Sequence, residues 1–595
     1  MYRAPVKDLR FVLDELIGAD LLRACPKFAE YTGETADAVL GEAARFAEVV
    51  LEPLCKSGDR EGAKWSPNGV TMPEGYRDAY RQYCENGWPA LRCEPEFGGQ
   101  GVPTVLGTAV EELWASSNLA FKLCPMLTQG AIEAIQHFGT PQQKQLYLPK
   151  MVSGEWTGTM NLTEPGAGSD LAAIRSKAVP QGDGTYRISG QKIFITYGEH
   201  DYTDNIVHLV LARTPDAPAG VKGISLFVVP KFMVQPDGSL GARNDVRCSS
   251  IEHKLGIHGS PTAVMLFGEG EGAVGYLVGE ENRGLEYMFI MMNDARFSVG
   301  LQGLAISERA YQHAAQYALE RVQGRAVGDD GSHGDAIVRH PDVRRMLLSM
   351  RSHIDAMRAL AVHVAMRKDA AHSAGVDAAA RDAAKSELEL LVPVLKGWFT
   401  ETAQDVTYNA VQVFGGMGYV EETGAAQYYR DARITTIYEG TTAIQANDLV
   451  GRKTVRDGGK TALALLDTMA AAADSLARED ASAARVLGAR LAESCQAVRG
   501  VVQWLLDEQR NNPRAVYASS VPYLQLWGEV CGGWMHALRL QAALQGGQSG
   551  STLRATAESA RFFAEQVLVR APTMASAIAN GGQSALDYPD EAWLA

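Results

Sequence analysis

Over the first 150 residues or so, apolar side chains recur at spacings of three and four. Phe11, Leu13, Leu16 and Ile17 form one stripe, and Val39, Ala43, Phe46, Val49 and Val50 form another, the pattern of helices with a single buried face. The Gly- and Pro-rich stretch Pro95–Pro103 separates two of these helices. From about 155 to 280 the period shortens. Tyr186–Ser189, Lys192–Thr196, Ile206–Ala212 and Ile224–Val229 are short β-branched and aromatic runs set between Gly, Asp and Pro turns, which predicts an antiparallel β domain. Helical spacing returns from about Glu286 to Arg452, with long helices predicted over Val299–Glu320, Val343–Arg367 and Ala383–Val413. An Ala-rich helical stretch follows, broken at Asn511–Pro513 and Gly546–Gly550. The chain reads as mostly α with a central antiparallel β domain: helical over 1–155, β over 156–283, helical over 284–452 and helical again over 453–595.

Composition narrows this picture. A chain of 595 residues, 46% apolar and 21% charged, is ordinary for a globular protein of several domains. Its net charge of -14 argues against a general binder of nucleic acid or anionic membrane. The eight cysteines lie far apart with no Cys-x-x-Cys. That spacing implies a reducing compartment, no disulfide framework and no metal. No apolar stretch approaches the roughly 18–20 residues of a membrane span, so a soluble, cytoplasmic protein is expected.

Four clusters carry candidate chemistry. Glu439 follows the β-branched and aromatic run Ile434–Tyr438 and precedes Gly440 and a helical stretch. A carboxylate screened from water there would have its pKa raised and become a better base near neutral pH; the plainer reading is a first-turn helix residue favoured by the dipole. In Thr163-Glu-Pro-Gly-Ala-Gly-Ser-Asp170, small residues let backbone approach a flat or anionic ligand, although a tight turn has the same composition. Phe194 and Thr196 fall on one face of an alternating strand, where they could pack and hydrogen-bond a ring system or be ordinary strand residues. Gln412-Val-Phe-Gly-Gly-Met-Gly418 ends a long helix; its glycines are a C-cap or a place of close backbone packing. Gly270-Glu-Gly-Ala-Val-Gly275 fits a dinucleotide fingerprint. A strand and turn are predicted after it, where that motif needs a helix.

In this order, and together with Lys254–Thr262, Ala318–Arg325 and Arg430–Thr441, these blocks resemble the acyl-CoA dehydrogenase superfamily over about residues 85 to 452. The resemblance implies a helical N-domain, a β-barrel-like middle domain and a four-helix-bundle domain, here with a C-terminal helical domain added. The N-terminal Met1–Phe11, Arg321–Arg325, His340–Met346 and the overall layout are similar to a long bacterial subgroup acting on 3-methylthiopropanoyl-CoA. A medium- or long-chain fatty acyl-CoA fits the same likeness.

The resemblance further implies FAD as cofactor. Thr163, Gly168, Ser169, Phe194, Ile195 and Thr196 would contact the flavin side. Arg321, Gln412, Gly415 and Gly416 would reach the adenosine-diphosphate part across a homodimer. Gly440, Thr441 and Thr442 would lie near the flavin, and Ser169, Asn293, Arg296, Tyr438 and Gly440 would line the substrate site. Glu439 would take the Cα proton of the thioester while a hydride leaves Cβ, giving a trans-2-enoyl-CoA, with an electron-transfer flavoprotein as electron acceptor. Some relatives carry the base one position before the family arginine; here that position is Ala295, which leaves Glu439. The Trp usual on the flavin-facing strand is Phe194, and Val322-Gln-Gly-Arg325 replaces the usual Thr-Phe-Gly. No function attaches to the loop Val327–Asp335. Two other readings use the same scaffold: an acyl-CoA oxidase, and an alkylation-response-type flavoprotein associated with DNA. The second would need a basic face on residues 455–595, where acidic residues are interspersed and no Lys/Arg run occurs.

Overall fold

A computed structural model describes residues 2–17, 25, 28, 31–328, 334–373 and 375–594; residues 329–333 of the Val327–Asp335 loop lie outside them. The chain divides into two compact units, one made of Arg45–Val102 and Ser117–Ser298, the other of Met1–Ala44, Pro103–Ser116 and Val299–Ala595.

The first unit holds twelve strands: β1 (Lys64–Ser66), β2 (Gly69–Thr71), β3 (Trp156–Asn161), β4 (Lys177–Pro180), β5 (Tyr186–Thr196), β6 (Asn205–Ala212), β7 (Ser225–Pro230), β8 (Phe232–Val234), β9 (Leu240–Arg243), β10 (Val246–Ile251), β11 (Thr262–Phe267) and β12 (Ala273–Leu277). The main sheet runs β10-β11-β5-β12-β7-β6-β3, with β4 beside β5. Every pair in it is antiparallel except β3 with β6. That parallel pair departs from the antiparallel expectation because β4 and β5 intervene in the chain, and the long return lets β6 re-enter in the direction of β3.

Strand β5 turns the corner of the sheet. Its residues Tyr186–Ser189 pair with β4 and Tyr186–Ile188 also with β12, whereas Gly190–Thr196 pair with β11. The bend falls at Gly190, with φ +146° and no room for a Cβ beside Ser176. Helix Leu119–Phe138 covers β3, and Gly158 permits the approach, since a Cβ there would meet Ala131 at 2.5 Å. The Gly270–Gly275 match is the connection from β11 into β12, which lie on either side of β5. Its Gly270 and Gly272 amides donate to Asp245 Oδ2 at 2.9 and 3.1 Å, and no helix follows.

Three long helices dominate the second unit: Gly284–Glu320 from Val299 onward, Pro341–His372 and Ala378–Phe414. Each contains the helix predicted from spacing. In the same unit, helices Lys460–Ala477, Ser520–Ala542 and Gly550–Gln566 pack on the second or third of these, and Ser482–Asn511 and Ala571–Asp587 pack on those in turn. Arg358, fully buried, joins Glu112 and Glu308, so the polar heart of this unit is a satisfied ion cluster.

One predicted stripe shifts. Ala43 and Phe46 are buried, but Val49 is 64% exposed and Ala47 and Leu51 are inside. The helix passes into a wider π-type turn at Ala47–Leu51, and the added residue per turn rotates Val49 outward. Among the described residues no helix is long and apolar enough to cross a membrane.

Candidate active site

Five described residues other than glycine adopt positive φ: Phe194, Tyr197, Ile257, Asn282 and Glu439. Such backbone is strained and collects where function requires a fixed geometry. Two of the five are the flavin-side aromatic and the base proposed from the sequence.

In the first unit, Thr163 and strand β5 are joined by the Ile193 amide donating to the Thr163 carbonyl at 2.9 Å. The β5–β11 register slips between Ala263 and Met265, which face Ile195 and Lys192. A bulge therefore lies at Ile193–Phe194, with Phe194 at φ +59°. Simple alternation, on which Phe194 and Thr196 were placed on one face, does not hold across it. Phe194 stands 58% exposed, Thr196 is half-buried, and Ile195 is buried in the sheet, so Ile195 can offer a ligand little beyond its backbone.

The Thr163–Asp170 turn is closed by reciprocal Glu164–Ala167 backbone bonds of 3.0 Å, leaving Gly168 and Ser169 exposed. Its anchor is Glu164. That carboxylate accepts from the Arg175 and Ser176 amides, the Ser176 hydroxyl and Lys192 Nζ at 2.6, 3.0, 2.6 and 2.8 Å. Burial pulls Lys192 down to about 8 against the opposing pull of Glu164, while the Lys192 charge holds Glu164 below its usual value against its own burial. Farther along the chain, Asn293 is exposed and Arg296 is buried on helix Gly284–Glu320.

In the second unit, Arg433–Thr436 is a short 3-10 turn, not the strand-like run that its β-branched residues suggest. Glu439 follows at φ +55° and Gly440 at φ +90°. Thr441 then caps helix Thr442–Asp448 by accepting from the Ile444 amide. Glu439 thus stands two residues before the N-cap, which corrects the first-turn reading. Lys396, fully buried, donates to the Gly440 carbonyl at 2.7 Å. Gln445 Nε2 reaches the Glu439 and Gly440 carbonyls at 3.4 and 3.3 Å. Thr442 donates to Glu401 at 2.5 Å, and Tyr438 donates to Gln302. Burial, with the Glu439 and Asp431 charges, pushes the Tyr438 phenol far up. Its hydroxyl is therefore a neutral donor directed at Gln302, leaving the ring as the part of Tyr438 that a substrate could meet.

At one end of this unit Tyr317 stacks on Phe414 at 4.2 Å. One turn beyond Tyr317, Arg321 is exposed. Helix Ala378–Phe414 ends beside this stack, and Gly415 caps it at φ +61°. Gln412, Gly415 and Gly416 are exposed, and no atom lies within 4 Å of a Cβ built on either glycine. The C-cap reading is correct for Gly415, and the surface it leaves open is bare backbone.

Lys396, Gln302, Glu401, Gln445 and Lys192 were not identified from sequence. Lys396 had a signal: it is the one charge in the apolar run Leu390–Phe399. A lysine placed so is buried only when it has a partner.

Residues 33–155, 159–269 and 282–453 match the N-terminal, middle and C-terminal domains of acyl-CoA dehydrogenase, and 464–589 match a domain described as acetyl-CoA dehydrogenase C-terminal like. The chain belongs to the acyl-CoA dehydrogenase family. It is 50% identical to 3-methylmercaptopropionyl-CoA dehydrogenase of Ruegeria pomeroyi, over 98% of this chain and 99% of that one. It is 34% identical to a butyryl-CoA dehydrogenase of Syntrophomonas wolfei, over 100% and 99%. An acyl-CoA dehydrogenase from Bacillus anthracis solved with FAD shares the fold at TM-score 0.75 and 21% identity, over 99% of this chain and 94% of that one.

As a member of this family the chain is an FAD-dependent oxidoreductase acting on acyl-CoA. Its residues fit the cofactor. An exposed aromatic ring on a strained bulge, beside an exposed glycine and hydroxyl turn, suits a planar ring system. An exposed arginine and, at the end of another helix of the same unit, exposed bare glycine backbone suit a pyrophosphate. Among the described residues no His, Cys, Asp and Glu cluster could hold a metal.

Proposed function

We propose that this acyl-CoA dehydrogenase desaturates the α,β bond of a short acyl-CoA, 3-methylthiopropanoyl-CoA foremost, with Glu439 as the base. The observation that carries the reading is the turn at Glu439. A carboxylate held at positive φ, its backbone fixed by two buried side chains, is a group placed at some conformational cost. FAD, when bound, supplies the acceptor for the hydride that leaves Cβ. Glu439 removes the Cα proton, and its basicity rises as an acyl chain displaces water from the half-buried carboxylate. Thr163, Gly168, Ser169, Phe194, Ile195, Thr196, Gly440, Thr441 and Thr442 are proposed to hold the flavin side of the cofactor. Arg321, Gln412, Gly415 and Gly416 are proposed to hold its adenosine-diphosphate side in a homodimer. Ser169, Asn293, Arg296, the Tyr438 ring and Gly440 would contact the substrate. An electron-transfer flavoprotein is the proposed electron acceptor. The short thioether substrate is favoured by the 50% identity over nearly full length to an enzyme named for it.

The test is anaerobic flavin bleaching with 3-methylthiopropanoyl-CoA and straight-chain acyl-CoAs of four to sixteen carbons. Wild type is expected to bleach fastest with the thioether or four-carbon thioesters. Glu439→Gln is expected to retain FAD and to lose bleaching by at least about a thousandfold, the scale of losing an essential proton-transfer group. A near-normal rate in Glu439→Gln removes the base assignment. A maximum at sixteen carbons removes the substrate assignment. Rapid peroxide release in air would move the enzyme to the oxidases.

A further inference from the structure

The clamp on the Glu439 turn assigns a role to a residue outside the reacting groups. We infer that Lys396, with Gln445 as its partner, is a positioning residue that holds the Glu439–Gly440 backbone in its strained form and so aims the Glu439 carboxylate; this rests on Glu439 being the base. Lys396 has no exposed surface, and its ammonium meets a backbone carbonyl of the turn at 2.7 Å. Gln445 is equally buried and reaches both carbonyls of the same turn. Among the described residues no peptide bond is cis, so the amide hydrogens of those two peptides, Gly440 N–H and Thr441 N–H, point opposite to the carbonyls. The buried donors therefore grip one side of the turn and leave its amide side available. A hydrogen bond to a carbonyl also polarises the amide of the same peptide.

The platform carrying Lys396 is stiff. Leu395 fills the space that a Cβ on Gly300 would occupy, Gly397 packs on Leu524, and Trp398 lies against Gly528 and Gly532. Lys396 is thus fixed by its neighbours on both sides and can transmit their rigidity to the turn. A carboxylate aimed through its backbone is sensitive to loss of that grip, since displacements near 1 Å at a reacting group cost about a hundredfold in rate.

The experiment uses the full-length FAD-loaded enzyme and whichever of 3-methylthiopropanoyl-CoA and butanoyl-CoA bleaches wild type. Lys396→Met is expected to keep FAD and bind the thioester within about threefold of wild type, yet to bleach about ten- to a hundredfold more slowly. Gln445→Met is expected to shift the same way by a smaller factor. A general structural role would weaken binding and rate together, and that result, or a wild-type rate in Lys396→Met, overturns the inference. If Lys396→Met does not retain FAD, Gln445→Met decides: slowed bleaching with intact affinity supports the clamp, and an unchanged rate overturns it. Glu439→Gln run alongside separates the two readings. If it is inert while Lys396→Met is normal, only the clamp fails; if Glu439→Gln is active, the base assignment fails first.

Discussion

Lys192 and Glu164 sit inside the β unit with 0% and 7% of their side chains exposed. Replacing one partner leaves the other charge buried and uncompensated, which costs about 3–5 kcal/mol. Lys192→Met is therefore expected to lower the melting temperature sharply and to loosen the Thr163–Asp170 turn. The double variant Lys192→Met with Glu164→Leu is expected to recover most of the loss, and the difference between the two melting temperatures checks it. Buried histidines give a second expectation. Burial first, and the Lys231 charge next, drive His200 and His208 each down to about 3. Folded, both stay neutral through mild acid, whereas the unfolded chain protonates each near its usual value of about 6.5. The unfolded state then binds more protons, so stability falls as pH drops from about 6.5 toward 3, by about 1.4 kcal/mol per pH unit per histidine. His208→Gln is expected to flatten the fall in denaturation midpoint between pH 6.5 and 5, and an unaltered slope would contradict the sign.

Helix against helix, small residues set the distances. A Cβ on Gly528 would lie 2.1 Å from Trp398 Cγ, whereas one on Gly500 has no atom within 4 Å. Both glycines are inside helices, where alanine gains about 0.8–1 kcal/mol in propensity. At Gly528 that gain is outweighed by overpacking of about 1–3 kcal/mol. One substitution should therefore act in opposite senses: Gly500→Ala raises the melting temperature slightly and Gly528→Ala lowers it. Two shifts of like sign would refute the packing argument.

The long helices were legible in the sequence because apolar period and Gly or Pro breaks agree, as at Asn511–Pro513 and Gly415. Strand segments were legible for the same reason. Pairing direction was not, since β3 with β6 depends on where a chain returns after two intervening strands. Nor were the bulge at Phe194 and the wide turn at Ala47–Leu51, where one residue shifts the period and outward and inward positions exchange. The ordered blocks around Thr163, Phe194, Gln412 and Glu439 identified the family. The residues that hold those blocks in place, Lys396, Gln302 and Lys192, come from distant segments and carry no local signature beyond a polar group in an apolar run.

For the whole chain, the sequence pattern marks residues 453–595 as a C-terminal helical region, and in the structure this region shares one compact unit with the helices around Glu439. Helix Ser520–Ala542 buries Tyr523, Leu524, Leu526, Trp527 and Val530 completely. Its Gly528 and Gly532 receive Trp398, and Ser520 meets Asn447 on the helix that starts just after Glu439 at 2.9 Å. Arg539 and Ser559 bind Asp355 at 3.1 and 2.9 Å. Removing the region would uncover Trp398, an aromatic whose burial is worth about 1.5–3 kcal/mol, and would leave Asp355 to Arg351 alone among these partners. Several such losses match the whole stability of a typical domain, about 5–15 kcal/mol. A chain ending at Arg452 is therefore expected to be insoluble, or to bind a hydrophobic dye and no FAD. A soluble truncated protein with the full flavin spectrum and normal bleaching would show that the region is dispensable, and the support it gives the Glu439 turn would have to come from elsewhere.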